Sequence, residues 1–319
     1  MMERTTAKKN KYEIDMCNGT IMDKLISFSL PLMLSGILQL MFNAVDIIVV
    51  GRFSGSQALA AVGSTSALIN VFTNLFIGIS LGANVLTARF YAAGREKEVS
   101  ETVHTAITLA LVSGIVMALV GLVFSRGALA LMGTPDDVIG LSALYMRIYF
   151  LGMPFFMLYN YGAAILRAVG DTKRPLLFLM IAGVINACLN MVLVIVFKLG
   201  VAGVAIATVI SQMISCVLVL RCLCRSESSY RLRFSELGMK GYYLKQIFSV
   251  GVPAGIQSTV INFSNVLLQS SVNSFGSTAM AGYTAANNLL GFLYVSVNSI
   301  TQACMSFTSQ NYGVGKLKR

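Results

Sequence analysis

One acidic side chain, Asp46, lies inside a long apolar segment whose other polar residues are uncharged. Gln39, Asn43 and Asp46 follow one another at spacings of four and three residues, so in a helix they share one face. Ionisable residues inside a membrane span are costly and usually functional. Burial disfavours the charged form of a carboxylic acid, whereas a nearby cation favours it. Asp46 is therefore a candidate for exchanging a proton or metal ion for a cationic ligand; the alternative is a structural acceptor of hydrogen bonds from Asn or Thr neighbours.

Other polar side chains recur at helical spacing in later apolar segments. Asn186 and Asn190 are four residues apart, and Thr208 lies in the next segment. Such groups can line a polar site, or they can join helices through hydrogen bonds worth under about 1–2 kcal/mol each. Near the C-terminus, three amides lie on one helical stripe without an acid: Asn262, Asn265 and Gln269. We expect this stripe to line a wall of a substrate cavity, and Gln39 and Asn43 are candidates for the same cavity.

The composition predicts that these segments cross a membrane. The chain is 56% hydrophobic and 12% charged, whereas a soluble domain has about 25% charged residues. Residues 246–315 contain no charged side chain, and about 20 helical residues suffice to cross a bilayer core of about 30 Å. Only helices and closed barrels satisfy their own backbone in lipid, and no alternating strand pattern is present. The predicted fold class is therefore an all-α integral membrane bundle.

Gly, Pro and charged residues divide the chain into eight predicted transmembrane helices. They run over Leu25–Val50, Val62–Ala88, Thr102–Phe124, Val138–Ile165, Pro175–Phe197, Val201–Leu220, Tyr243–Val272 and Tyr283–Gln310.

The distribution of basic residues predicts the orientation of these helices. With the N-terminus in the cytoplasm, twenty of the 24 Lys and Arg residues lie in cytoplasmic segments, as the positive-inside rule requires. The net charge of +11 then reflects membrane topology, whereas a nucleic-acid-binding protein would cluster these residues on a folded soluble face. The first span follows the charged segment 1–24 without a cleavable signal sequence. We expect a multi-pass protein of the inner, cytoplasmic membrane, and no nucleic-acid partner.

The last two predicted helices repeat the first two after about 221 residues. The matched pairs are Ser27 with Ser249, Pro31 with Pro253, Asn43 with Asn265, Phe53 with Phe275, Thr87 with Thr308, and Tyr91 with Tyr312. The second copy begins six helices after the first, an even number, so both run in the same direction, which is typical of transporters with a cavity between two lobes. Pro31 and Pro253 remove a helical hydrogen bond inside their spans and are candidate hinges.

The repeat also predicts the domain organisation. Residues 1–24 form a cytoplasmic N-terminal segment, 25–221 a six-helix N-lobe, 222–242 an interlobe linker, and 243–319 the first part of a C-lobe. Counterparts of helices three to six would need roughly 130 further residues, so we expect the chain to be truncated at its C-terminus.

Several motifs, in this order, resemble the multidrug and toxic compound extrusion (MATE) family over essentially the whole chain. The motifs are Pro31 within SLPL, NAVD at 43–46 followed by VGR at 50–52, ALAAVG at 58–63, LRAVGDTKRP at 166–175, NACLN at 186–190, and GVAGVAIAT at 200–208. The resemblance implies twelve helices in two six-helix lobes. It also implies export of organic cations and other amphiphiles, by a monomer among membrane lipids, against a proton or sodium gradient and without another cofactor.

By the same resemblance, Asp46, Asn186, Asn190 and Thr208 match the family's cation site in the N-lobe. Many relatives carry a second acid where this chain has Asn190. One carboxylate fewer weakens the case for tight sodium binding at Asp46 and favours proton coupling.

Three other functions are considered. A lipid-linked oligosaccharide flippase of the same superfamily would need several intramembrane Arg or Lys side chains for phosphates, and only Arg147, near the outer end of its predicted span, comes close. A membrane enzyme is disfavoured because the chain has one histidine, His104, and no metal-binding HExxH motif or phosphate-binding loop. The third alternative is an inert truncated fragment.

Overall fold

The computed structural model describes residues 12–273, 277–316 and 318, and every regular element in that part is helical. These residues contain nine α-helices: α1 Ile21–Phe53, α2 Ser56–Ala92, α3 Glu96–Leu131, α4 Asp136–Leu151, α5 Met153–Ala168, α6 Lys173–Asn190, α7 Gly200–Cys224, α8 Gly241–Asn273 and α9 Ser277–Gly313. A π-helical turn, Met191–Val196, extends α6, and a 3₁₀ turn, Phe234–Glu236, lies in the linker. The predicted all-α fold class is confirmed.

Within the described residues, five helices are long and apolar enough to span a membrane: α1, α2, α3, α6 with its π-helical turn, and α7. The pair α4 and α5 counts as a sixth span if the two are taken together, because they are bent by 48° at Gly152. The single helix predicted over Val138–Ile165 is therefore broken. Pro154 has no backbone N–H to continue the hydrogen-bond ladder of α4, which explains the position of the bend.

Most helices extend several residues beyond their predicted ends. Glu96 and Glu98 lie in the first turn of α3, although that helix is predicted to begin at Thr102. Acidic groups at a helix N-terminus interact favourably with the helix dipole. Apolar length thus predicts the part of a helix that lies in lipid, and the charged ends continue the same helix beyond it.

The helices of the two repeats pack reciprocally. We name α1–α7 the N-lobe and α8–α9 the C-lobe, after the predicted boundaries. The first helix of each copy packs against the second helix of the other copy: α1 lies against α9, and α2 lies against α8. Two parallel copies related by an approximate twofold axis would produce this pairing.

The α2–α8 contact brings two helix backbones very close together. Gly78 and Gly82 lie on α2, and Gly251 and Gly255 lie on α8, each pair spaced by four residues. A Cβ atom added at Gly82 would lie 3.0 Å from the backbone N of Gly251, and one at Gly78 would overlap the backbone of Gly255. Small residues at this spacing allow close helix packing in membranes. We call these four residues the glycine seam.

The two lobes also meet at the end of the bundle that carries most of the basic residues. We call this end, formed by the N-terminal segment and loops 89–97, 167–174 and 221–245, the basic end. Gln310 of α9 donates a hydrogen bond to the carbonyl oxygen of Ala168 at 2.7 Å, and Asn311 donates to the carbonyl oxygen of Met16 at 3.1 Å. The lobes are therefore closed on one another at this end.

A buried motif of the sequence shapes one loop of the basic end. Asp171 is fully buried, and it accepts hydrogen bonds from the backbone N–H of Arg174 at 3.1 Å and from the guanidinium of Arg174. Burial raises the pKa of the Asp171 carboxyl, although Arg174 acts in the opposite direction. Within the GDTKRP segment, which leads into α6, the carboxylate of Asp171 is therefore paired with Arg174.

A carboxylate of the N-terminal segment joins three parts of the chain at the basic end. Glu13 accepts hydrogen bonds from the phenol of Tyr91 at 2.7 Å and from the phenol of Tyr230 in the linker at 2.9 Å. Burial raises the pKa of Tyr230, so this phenol remains a hydrogen-bond donor at neutral pH. The linker is thereby attached to the end of α2 through Glu13.

We expect Tyr230→Phe to lower the free energy of unfolding by about 1.5 kcal/mol, the lower end for a hydrogen bond to a charged group. The substitution removes only the hydroxyl that donates to Glu13. Unfolding in mixed detergent micelles measures the change. Tyr242→Phe is the matched control because Tyr242 is 67% exposed; equal stabilities of the two variants would contradict the assigned role of this bond.

Candidate functional site

The structure brings Asp46 together with two of its predicted partners. The side-chain amide of Asn190 donates hydrogen bonds to Oδ1 of Asp46 and, at 3.2 Å, to Oδ1 of Asn186. Asn186 and Asn190 are buried, and Asp46 is half-buried. The three residues form a polar chain between α1 and α6, two helices that are long and apolar enough to span a membrane.

Helical periodicity and one glycine position these side chains. Phe42 precedes Asp46 by four residues, so both lie on the same face of α1. On α6, Gly183 precedes Asn186 by three residues and Asn190 by seven. A Cβ atom at Gly183 would overlap the ring of Phe42, so glycine permits this close approach of α1 to α6. One helical turn further along, the same two faces present the carboxylate and the amides to each other.

Asn190 retains an unused acceptor at this site. Its amide nitrogen serves Asp46 and Asn186, while its buried Oδ1 has no hydrogen-bond partner among the described residues. Buried polar atoms without a partner are uncommon and require an explanation. Met191, the next residue, begins the π-helical turn, a distortion frequent at functional sites. An amide oxygen next to a carboxylate is a suitable environment for a proton or a small cation.

Two tyrosines of α4 approach the same site, and the sequence analysis did not identify them. Tyr145 and Tyr149 lie close enough to Asp46 to interact with it electrostatically. Their rings stack with centroids 6.1 Å apart and planes at 28°. Their spacing of four residues was the available signal, because it predicts one aromatic face inside the fourth span. The sequence does not state which helix that face meets.

The remaining N-lobe candidates have a different environment. The hydroxyl of Thr208 donates to the carbonyl oxygen of Val204 in its own helix at 2.9 Å, and among the described residues it makes no hydrogen bond to Asp46. Gln39 and Asn43 are exposed on α1. These three assignments therefore stay predictions.

The C-lobe candidates and the hinges are only partly described. Asn265 is exposed on α8, whereas the side chains of Asn262 and Gln269 lie outside the described residues. Pro31 is buried within α1, and Pro253 is exposed within α8. Ser35 donates a hydrogen bond to the carbonyl oxygen of Pro31 at 2.8 Å. Their role as hinges stays a prediction.

The sequence of this chain is similar to known proteins over most of its helices. The family model described as MatE matches residues 31–192 and 253–319. The chain is 36% identical over 301 residues to the probable multidrug resistance protein YoeA of Bacillus subtilis, covering 92% of this chain and 65% of that protein. It is 29% identical over 306 residues to the probable multidrug resistance protein YpnP of the same organism, covering 96% and 68%. The chain thus spans about two thirds of the length of these relatives.

A solved structure shares the arrangement of helices. It is described as the outward-facing conformation of a multidrug resistance MATE family transporter of the MOP superfamily. The TM-score is 0.88 at 23% sequence identity, and the match covers 98% of this chain and 70% of that structure. At this identity the likeness establishes the fold.

Proposed function

The chain belongs to the MatE family, and we propose on this premise that it exports small organic cations and other amphiphiles in exchange for protons or sodium ions. The two relatives from Bacillus subtilis are described as probable multidrug resistance proteins, and the chain is a multi-pass membrane protein. In this proposal Asp46 is the coupling residue, and Asn186 and Asn190 support it.

The hydrogen-bonded chain from Asp46 to Asn190 and Asn186 carries this proposal. A carboxylate between apolar helices is least costly when a proton or a cation neutralises it. A proton and a cationic ligand therefore compete for one negative charge. Ligand binding displaces the proton, and protonation from the other side of the membrane displaces the ligand, which is the exchange that an antiporter requires.

The single carboxylate favours protons as the coupling ion. Asn190 supplies an amide oxygen where a second acid would bind a metal cation more tightly. Only one negative charge is then available, so one proton is exchanged for one positive charge.

Proteoliposomes that contain the full chain test the proposal. We expect an imposed pH gradient to drive accumulation of a fluorescent organic cation against its concentration gradient, and an imposed sodium gradient to drive it less. An ionophore that collapses the pH gradient serves as the control. Dye movement that is insensitive to both gradients would contradict the proposed exchange.

The proposal also includes an orientation, in which the N-terminus lies in the cytoplasm of the cell. In a background with the native cysteines replaced, we expect a cysteine at Ser56 to react with a membrane-impermeant thiol reagent added to intact cells. Ser56 begins α2 at the end opposite the basic end, whereas Ser228 lies in the linker. External labelling of a cysteine at Ser228, with Ser56 protected, would reverse the orientation.

A further inference from the structure

The segment before α1 crosses the boundary between the two lobes at the basic end. Residues 12–18 contain no helix or strand, and α1 begins at Ile21. The segment precedes residue 31, where the match to the MatE family model begins. Its residue Met16 is nevertheless fully buried. Terminal segments are usually poorly ordered unless contacts hold them, so the contacts of this segment with each lobe indicate its role.

The first half of the segment is held by the N-lobe and the linker. The carboxylate of Glu13 accepts hydrogen bonds from Tyr91 at the end of α2 and from Tyr230 of the linker. The backbone N–H of Ile14 donates to the carbonyl oxygen of Gly170 at 3.2 Å. A Cβ atom at Gly170 would overlap the backbone of Ile14, so the two backbones are in direct contact. Residues 13 and 14 are therefore attached to the N-lobe.

The second half of the segment is held by the C-lobe. The side-chain amide of Asn311 in α9 donates a hydrogen bond to the carbonyl oxygen of Met16 at 3.1 Å. Lys316 follows α9, and its ammonium group donates to the carbonyl oxygen of Cys17 at 2.7 Å and to Oδ1 of Asn18 at 2.9 Å. Three hydrogen bonds from the end of α9 thus reach three consecutive residues of the segment.

The side chain of Met16 completes a small apolar cluster that both lobes share. The other buried members of this cluster are Phe28 and Leu32 of α1, and Ala303 and Phe307 of α9. The cluster is separate from the larger core of the protein. Separation of α1 from α9 would expose apolar surface on both helices, so the burial of Met16 favours contact between the lobes.

We propose that residues 12–18 form a strap that holds the two lobes together at the basic end, and that the bundle opens at this end only when residues 16–18 leave α9. The strap is attached to the N-lobe at Glu13 and Ile14 and continues into α1, so it stays with the N-lobe when its contacts with α9 break. One buried side chain and a few hydrogen bonds contribute modestly, so their loss is reversible. The strap acts in the same way whichever compound or ion is transported.

Alkylation of one buried cysteine at the lobe interface measures how often the lobes separate. Ser306 of α9 is buried, and its hydroxyl donates to Oδ1 of Asn84 on α2 at 3.2 Å, so a reagent reaches this position only when α9 leaves α2. Ser306→Cys is introduced into the full chain with its six native cysteines replaced by serine. The bond from Lys316 to residue 17 uses the backbone carbonyl oxygen and is kept. Reaction with N-ethylmaleimide in nanodiscs is followed by mass spectrometry.

Met16→Ala is expected to raise the rate of alkylation at least about tenfold. The substitution removes the buried side chain that joins α1 to α9, and truncation of a buried methionine is strongly destabilising. Met22→Ala is the matched control, because Met22 lies in the first turn of α1 and is 64% exposed. This control is expected to leave the rate unchanged.

Lys316→Ala tests the strap from the other lobe without removing a buried group. The side chain is exposed, so the fold does not depend on it, but both of its hydrogen bonds to the strap are lost. We expect the alkylation rate to rise at least about threefold, the effect of losing one ordinary hydrogen bond. Lys318→Ala removes an exposed lysine two residues further along and is expected to have no effect.

Cys216 distinguishes opening of the lobes from loosening of the whole protein. This cysteine is buried in α7, within the N-lobe, and a protein that retains it as the single cysteine is alkylated in parallel. Its rate is expected to be the same with and without Met16→Ala. If Met16→Ala accelerates both cysteines by the same factor, Met16 supports the fold as a whole and the strap is refuted. An unchanged rate at position 306 in Met16→Ala or in Lys316→Ala also overturns the proposal.

Discussion

Asp46→Asn is expected to abolish gradient-driven export while leaving the protein folded. Asparagine has nearly the same shape, and its Oδ1 still accepts the hydrogen bond that Asn190 donates to Asp46. The substitution removes the proton-binding group and its negative charge, and with them the competition between proton and ligand. Stability is expected to stay the same or rise slightly, because the cost of placing a carboxylate among apolar helices disappears.

Proton release provides a direct measurement of this effect. When an organic cation is added to the purified protein in weakly buffered solution, the wild type is expected to release protons, and Asp46→Asn is expected to release none. The affinity of the variant for the dye should also become independent of pH, whereas wild-type affinity rises with pH as the carboxyl loses its proton.

Asp23→Asn is the matched control, because it removes a carboxylate from the exposed first turn of the same helix. It is expected to release protons as the wild type does. If Asp46→Asn drives uphill efflux at the wild-type rate, Asp46 is not the coupling residue. If Asp46→Asn fails to fold, Asp46 has the structural role considered as the alternative.

The sequence predicted the centre of this site because its pattern lies within single helices. Asn186 and Asn190 share a face through their spacing, and the apolar context singles out Asp46. Contact between the two helices depends on Gly183, which admits the ring of Phe42. A spacing rule reports which residues share a face, but it does not report which faces meet.

The same limit explains what the sequence did not predict. Tyr145 and Tyr149 of α4 lie close enough to Asp46 of α1 to interact with it electrostatically, and this proximity is between different spans. The break at Gly152 divides a segment that hydropathy treats as one helix, since hydropathy is insensitive to the hydrogen bond that Pro154 lacks.

The glycine seam is the clearest example of information that needs the tertiary structure. Gly78 with Gly82, and Gly251 with Gly255, each show the spacing of a helix-packing motif in the sequence. Glycines at this spacing are common in membrane helices, and only the structure shows that these two pairs face each other. The seam joins the lobes through α2 and α8, so its packing determines how closely they associate.

Gly82→Ala is expected to lower the free energy of unfolding by about 3 kcal/mol, the upper part of the usual range for overpacking. The added methyl group would overlap the carbonyl oxygen of Ile247 and lie 3.0 Å from the backbone N of Gly251. Both obstacles are backbone atoms, which cannot rotate away as a side chain does, so α2 and α8 must move apart. Denaturation in mixed micelles, followed by circular dichroism, measures the loss.

Gly63→Ala separates this packing effect from the general effect of replacing glycine in a helix. Gly63 lies on α2 as well, and a Cβ atom there meets nothing within 4 Å. Alanine is favoured over glycine inside a helix by about 1 kcal/mol, so this variant is expected to be as stable as the wild type or slightly more stable. The two substitutions are chemically identical and one helix carries both, so opposite signs of the stability change can arise only from the backbone of α8. Equal stability of the two variants would mean that α2 and α8 do not approach each other as closely as the seam requires.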